Sequence, residues 1–591
     1  MDDVILRYYE AEMRYLGEAA KEFADAHPDR ARMLNLDRVG DRDPYVERLF
    51  EGFAFLTGRL RQKLDDELPE LTEGLVSLLW PHYLRMIPSL SILEMTPAPE
   101  TLQKTERVPA GLAVRSGKVG TSGVQCLYRT TQAVTLMPIR LIEATPSVRH
   151  DARSVIRFKF EIDKSARREA LDLSRIRLYL NADLPVAFAL HLALTRQVQS
   201  LSLRTPEVQD GAAIPLKNAW IEAAGFSAEE RLWPKADIAF SGYQLLLEYF
   251  TFREKFLFVD LCGLSMNALP ADAWSFEVEV LLNESYPADL HFTAANVRLF
   301  CTPIINLFEL DAEPVRIDHH ETEYRVKPMH HHGDFVETYS VEAVEAFDHD
   351  TAERFEYVPF STFRHRGGML RHEAPERYFH TRVRQGVKGL FDTWIILGGH
   401  AWESMPDLPE ETLSLRVTGT NGMLPRKGLR EASINELVAS APNVGRVRNL
   451  TSPTLPVYPP VNDRFQWRVL SHLAPNFLSL MDAEVLRGAL ALYDWTGDEL
   501  NRRRLAGIQH VSQKLLRKVI GGGIERGVLI EVTLDSHAFA GTGDVYLFGE
   551  LLHRFFTLYA EINLFTQLAI VSLPSGKRIE WAASHAERSP L

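Results

Sequence analysis

The apolar residues of this chain change their period near Pro88, and that change constrains the fold more than any other feature of the sequence. Ahead of it, Tyr9, Met13, Leu16, Ala20 and Phe23 recur at alternating steps of four and three, which places them on one stripe of an α-helix. His27-Pro28 stops that helix, because a proline disfavours helical geometry in the residue before it. Asp43-Pro44 then supplies an N-cap acceptor and a proline at the first helical position, and Val46, Leu49, Phe53, Leu56, Leu60 and Leu64 resume the rhythm. Pro69 predicts a third helix carrying Leu71, Leu75 and Leu78, which Trp80-Pro81 ends or kinks.

Past Pro88, short β-branched and aromatic runs at 91–95, 155–162, 176–180, 275–282 and 414–418 are separated by glycine, proline and polar turns. Thr420-Asn421-Gly422 carries an Asn-Gly pair suited to a two-residue turn with both central φ values positive. The proline-dense passage 453–460 predicts an extended connector and the main internal boundary. After it, Leu505, Ile508, Val511, Leu515 and Val519 predict a helical face that ends at Gly521-Gly522-Gly523. Val545, Phe548, Leu552, Phe555, Tyr559 and Ile562 predict a second helix, entered through Gly541-Thr542-Gly543-Asp544. Residues 569–573 and 577–581 flank Pro574-Ser575-Gly576 as a hairpin. No repeat of about 20 to 50 residues is visible. The expected fold is α+β and multidomain: an N-terminal helical segment 1–90, β-rich parts 91–310 and 311–452, and a mixed C-terminal domain 453–591.

Composition narrows the function. At 591 residues, 46% hydrophobic and 25% charged, the chain can bury several cores and is not disordered. Its net charge of −13 repels a phosphate backbone, so nucleic acid is not an expected partner. Cys126, Cys262 and Cys301 are far apart and form no CxxC, which fits a reduced compartment. Met1-Asp2-Asp3 opens an acidic amphipathic stretch, not a leader, and no apolar run reaches the roughly 18 residues of a spanning helix. These features predict a soluble cytoplasmic protein without direct membrane insertion.

The motifs that carry chemistry are missing or better explained otherwise. His319-His320 and His330 to His332 are conspicuous because imidazole binds transition metals, yet no HExxH or facial-triad spacing accompanies them. Neither Gly541-Thr542-Gly543 nor Gly521-Gly522-Gly523 reads as a phosphate loop, and helix starts and ends account for both. No GxSxG is present, and the cysteines show no signature of an activated thiolate. Arg59, Arg61 and Lys63 and the run Arg502 to Arg504 sit within helices or beside acids. No catalytic residue, metal or cofactor is therefore expected. A metal-dependent hydrolase using the His319 to His332 region and a β-rich ligand-binding module stand as alternatives.

What remains is apolar surface. Tyr8 and Tyr15 lie beside the Tyr9 and Leu16 stripe, so the first helix is apolar on two sides, more than one intramolecular partner covers. Tyr8, Tyr9, Met13, Tyr15, Leu16 and Phe23 are accordingly the candidate assembly interface. For Phe50, Phe53 and Phe55 the expectation is packing between the N-terminal helices.

Longer blocks carry a family resemblance. Tyr8-Tyr9-Glu10 with Tyr15-Leu16, Asp43-Pro44-Tyr45-Val46-Glu47-Arg48-Leu49, Glu51-Gly52-Phe53-Ala54-Phe55-Leu56, Lys63-Leu64-Asp65-Asp66-Glu67 and Trp80-Pro81-His82-Tyr83-Leu84-Arg85 open the series. Gly242 to Phe250, Phe256 to Leu261, Cys301 to Phe308, Thr418 to Gly422, Leu470 to Leu473 and Phe539 to Phe548 continue it. In order and spacing these blocks resemble the TssF family, also called VasA or ImpG, a baseplate subunit of the bacterial type VI secretion system. Ala474-Pro475-Asn476-Phe477 and Gly419 depart from the family pattern, which expects a leucine-asparagine-tyrosine version and, often, a cysteine. The resemblance implies a structural role: two TssF copies pair around one TssG to form a wedge, TssK sits outward, and TssE and the VgrG hub are further neighbours. It implies a cytoplasmic baseplate docked to the inner-membrane complex, no catalytic residue and no cofactor. The arrangement is similar to the wedge proteins of contractile phage tails, where terminal helices meet in a bundle.

Overall fold

The computed structural model describes residues 3–26, 44–67, 76, 81–98, 101–149, 153–205, 213–233, 241–270, 272–317, 321–330, 335–348, 353–360, 377–385, 391–398, 411–428, 433–438, 441, 443–460, 480–520, 523–559 and 565–585. The fold is α+β and multidomain. The chain divides into two compact units, Met1–Leu79 with Gln466–Leu470, and Trp80–Phe465 with Ser471–Leu591. In the first, helices Asp3–Ala26 and Pro44–Glu67 pack against each other, and Pro44 opens the second of them as its fixed φ favours. Leu71, Leu75 and Leu78 of the expected third helix lie outside the described residues, as does Ala474-Pro475-Asn476-Phe477.

The second unit is β-rich. Its Ser154–Ile162 strand shows the cause: Ile156, Phe158, Phe160 and Ile162 are buried, while Arg157, Lys159 and Glu161 alternate on the other face. This strand lies between Ser275–Leu282 and Ile139–Val148 in a five-stranded antiparallel sheet. A six-stranded sheet runs Ile434–Leu437, Ala113–Val119, Val124–Thr130, Cys301–Ile305, Leu90–Pro97, Val444–Asn449. Its two outer strands come back beside one another, with Ile434 N donating to Asn449 Oδ1 at 3.0 Å. The proline-dense connector runs along the same sheet: Thr454 N donates to Leu90 O at 2.9 Å and Val457 bridges Ile87. An eight-stranded sheet is built on Glu337–Asp348 against Glu411–Thr420, over a core that holds Ile317, Val344, Ile395, Leu413 and Val417. At Gly419, the departure from the family pattern, the side chains of Leu310 and Val336 fill the space: an added Cβ would meet Leu310 Cδ2 at 2.6 Å.

Asn421-Gly422 does not close a hairpin. The strand Glu411–Thr420 leads through it to a short helix, Leu424–Gly428, and Asn421 is buried between sheets. Asn421 Oδ1 accepts from Asn306 Nδ2 at 2.9 Å and Leu127 N at 3.2 Å, and Asn421 N donates to Asn306 Oδ1 at 2.7 Å. Gly422 has φ +52°, and a Cβ there would lie 2.2 Å from Glu337 Oε1. The dipeptide does supply a positive φ, but its partners across the fold turn that local signal into a junction.

The expected helix over residues 505–519 is also corrected. Asp498 caps a helix Glu499–Ala506, Gly507 closes it with its N–H donating to Arg503 O at 2.9 Å, and Ile508–Ile520 is a strand. That strand pairs antiparallel with Gly523–Asp535 along its length. Its apolar spacing satisfies a helical period, but Ile508, Val511, Val519 and Ile520 are β-branched and a long antiparallel partner outweighs the period. The next expected helix forms as Thr542–Tyr559, with Ile562 outside the described residues. The hairpin after it forms as well, with Ser572 opposite Lys577.

The start of Thr542–Tyr559 explains its glycine-rich entrance. A Cβ at Gly543 would lie 2.2 Å from Phe188 O, on the helix Leu184–Arg196. Asp544 Oδ2 accepts from Ala540 N at 3.0 Å and from Arg504 Nη2 at 2.7 Å. Close helix packing and a buried ion pair occupy the place a phosphate would need.

Candidate assembly interface

Among the described side chains of the N-terminal helix pair, Ala20 on the first helix, Ala54 and Gly58 on the second, and Glu12 are buried. Small residues let two backbones approach. Of the residues expected to assemble, Tyr9, Met13 and Leu16 are half-buried and Tyr15 and Phe23 are exposed. The Tyr8 side chain lies outside the described residues.

A larger uncovered surface is on the second helix. Tyr45 is 82% exposed, Leu49 66%, Phe53 61% and Leu56 62%. Their steps of four, four and three put them on one stripe. Phe53, expected to pack inward, is on this open side, whereas Phe50 and Phe55 are half-buried. The period was legible in the sequence, and only its direction was missed. Covering such side chains on association stabilises by roughly 1 to 2 kcal/mol each, since each is already part-shielded.

The second unit offers a cavity of about 1010 Å³ lined by Arg107, Gln132, Arg177, Glu230, Asp260 and Phe300 among others. Several of its polar groups pair with one another. Arg177 reaches Asp260 with Nε and Nη2, both at 2.8 Å, Glu230 with Nη2 at 2.6 Å, and Gln132 with Nη1 at 3.1 Å. A guanidinium so fully engaged has little left to orient a substrate. Burial pushes the Cys126 thiol up to about 12 and raises Cys301 as well, so neither is a thiolate near neutral pH. His319, His320, His331 and His332 lie outside the described residues, and His330 is exposed. Among the described residues no three metal-ligating side chains converge.

The comparison with known proteins decides the family. The family model "Type VI secretion system, TssF" matches residues 1–588. The chain belongs to the TssF family. It is 30% identical to type VI secretion system component TssF1 of Pseudomonas aeruginosa, with all of both chains covered. It is similar, at TM-score 0.81 and 50% identity, to a chain in the cryo-electron-microscopy structure of the TssK-TssF-TssG baseplate subcomplex, covering 92% of this chain and all of that one. A chain in a second solved structure, the baseplate complex from the type VI secretion system, matches at TM-score 0.66 and 49% identity over 99% of this chain and all of that one.

Several of the blocks that carry the TssF resemblance form core. Residues 242–250 are buried throughout on the helix Ser241–Thr251, which packs on Thr542–Tyr559. There Tyr243 stacks on Tyr493 at 5.1 Å, and Tyr249 lies 6.0 Å from Phe548. Within this TssF block the buried Glu248 carboxylate is held by Lys255 Nζ, by Leu232 N at 2.9 Å and by Gln244 Nε2 at 3.0 Å. Among the described residues no helix is long and apolar enough to cross a membrane.

Proposed function

We propose that this chain is a structural wedge subunit of the type VI secretion baseplate, joined through its N-terminal helices to a TssG-type partner and a second copy of itself, with a TssK-type subunit outward. The observation that carries this reading is the open apolar stripe Tyr45, Leu49, Phe53 and Leu56, in a chain similar along its length to one solved in a TssK-TssF-TssG subcomplex. Obligate contacts of this kind typically bury upwards of about 2,000 Å², and a helix face of large apolar side chains supplies their centre. Tyr8, Tyr9, Met13, Tyr15, Leu16 and Phe23 of the first helix are the further contacts this reading assigns to the assembly.

In this reading residues 1–90 are the assembly module, 91–310 and 311–452 are β-rich spacers, and 453–591 is a mixed C-terminal domain. TssE-type and VgrG-type hub proteins are neighbours, and the particle docks on the cytoplasmic side of an inner-membrane complex, as phage wedges meet in a helical bundle. The role is non-enzymatic, supported by the self-paired floor of the large cavity.

The test is co-expression with the TssG and TssK homologues. Leu49→Asp with Phe53→Asp, and separately Leu16→Asp, should lower recovery of the complex at least tenfold while the unfolding transition of the β-rich unit stays in place. Mass measurement of the wild-type complex should give two copies of this chain per TssG. Full recovery with the charged variants would remove the helical surface from the assembly.

A further inference from the structure

The strand Ile508–Ile520 is the outermost of the C-terminal five-stranded sheet, and among the described residues it pairs only with Gly523–Asp535. Among the described residues the strand Phe565–Leu573 pairs with Gly523–Asp535 from Gly527 onward, and past that point the hairpin continues as a two-stranded arm. Such a long free edge is a template for another strand. It contains Lys514, Arg517 and Lys518 and no acidic residue, in a chain of net charge −13. Leu515 is 86% exposed. Arg517 stands directly opposite Arg526, and both are exposed. Like charges facing across a strand pair destabilise it, and among the described residues neither arginine has a carboxylate partner.

Lys518 Nζ donates to the neutral amide Gln567 Oε1 at 2.6 Å, Glu525 meets His585 at 2.5 Å, and Glu531 meets Arg578 at 2.5 Å. Lys514, Arg517, Lys518 and Arg526 therefore leave this end of the hairpin net positive, and strand alternation puts Arg517 and Arg526 on the same face as Leu515. Lysine on an edge commonly guards against self-association, but that purpose requires neither a facing arginine pair nor an exposed leucine.

We infer that this arm is a docking edge for an extended acidic segment of another subunit in the wedge complex, which adds as a strand along residues 513–518. The added strand would satisfy the free backbone groups, neutralise the facing arginines and cover Leu515. The same edge of a second copy would carry the same positive charge, so an acidic partner is favoured over self-pairing. The inference depends on the proposed assembly only in needing a partner subunit, and the arm variants leave the helical surface intact, so the two ideas fail separately.

Hydrogen exchange on the co-purified complex tests it. Amides 513–518 should exchange at least tenfold more slowly in the wild-type complex than in Arg517→Glu/Arg526→Glu, while Arg517→Lys/Arg526→Lys keeps the slow rate. Unchanged exchange in Thr542–Tyr559 would show that the Glu variant is folded. A benzophenone side chain placed at Leu515 should cross-link to a partner peptide with more Asp and Glu than Lys and Arg. Equal exchange in wild type and the folded Glu variant overturns the proposal. So does a cross-link to a second copy, to a segment without acidic surplus, or to nothing.

Discussion

Removing the Asp544 carboxylate tests how the C-terminal part of the fold is locked. The Arg504 side chain is 2% exposed and that of Asp544 fully enclosed. Arg504 Nε and Nη2 donate to Oδ2 at 3.0 and 2.7 Å, and Arg504 Nη1 is buried with no hydrogen-bond partner among the described residues. Asp544→Ala removes the carboxylate that binds that guanidinium in a site closed to solvent, leaving Asp498 to act on it only through space. Breaking a buried pair in this way costs about 3 to 5 kcal/mol, and loss of an acid from the first helical turn adds about 0.5 kcal/mol. At about 1.4 kcal/mol per factor of ten, the opening equilibrium of Thr542–Tyr559 should rise by roughly two to four orders of magnitude. Amide exchange of that helix in the purified complex reads the change directly. Arg504→Met with Asp544→Leu removes both charges and should recover most of the loss. Less than a tenfold change in the single variant, or a double variant worse than the single, would refute the reasoning.

Two further outcomes follow from buried polar groups. His191 is fully buried on the helix Leu184–Arg196 with neither ring nitrogen hydrogen-bonded among the described residues, and burial pushes it from 6.5 down to about 4, against a weak opposing pull from the Glu550 carboxylate. The unfolded chain then binds a proton the folded chain refuses, so stability is full above about pH 6.5 and falls by about 3 kcal/mol as pH drops to about 4. His191→Leu should raise the urea midpoint at pH 7.5 and flatten its decline toward pH 5; an unchanged pH slope would count against a neutral buried imidazole. Asn421→Ala strips the partners from Asn306 Nδ2 and Leu127 N and should cost about 2 to 4 kcal/mol, whereas an exposed control such as Phe360→Ala should cost under about 1 kcal/mol. Urea titration of both variants checks the contrast.

Some of this was readable residue by residue. Pro44 at the first turn, the alternation of Ile156, Phe158, Phe160 and Ile162, and the turn between Ser572 and Lys577 each follow from local backbone geometry, and each stands where its period puts it. The strand Ile508–Ile520 does not, because Leu505, Ile508, Val511, Leu515 and Val519 fit a helix as well as an edge strand. Gly507, which ends the preceding helix, was the local sign that the period should not be carried across it. Asn421-Gly422 likewise signalled a positive φ and nothing about Asn306, which lies more than a hundred residues earlier.

The sequence by itself determined that two amphipathic helices lead into alternating strands, and that apolar stripes run along both helices. Ordered blocks along the chain marked the TssF resemblance without any coordinates. Tertiary structure decided which stripes are covered: Ala20, Ala54 and Gly58 are buried, while Tyr45, Leu49, Phe53 and Leu56 face outward. It also decided that Arg504 and Asp544 meet, forty residues apart, and that Arg517 faces Arg526. The physical reason is the same in each case: periodicity is a property of one segment's backbone, whereas burial and charge pairing belong to whatever other segment comes to lie against it.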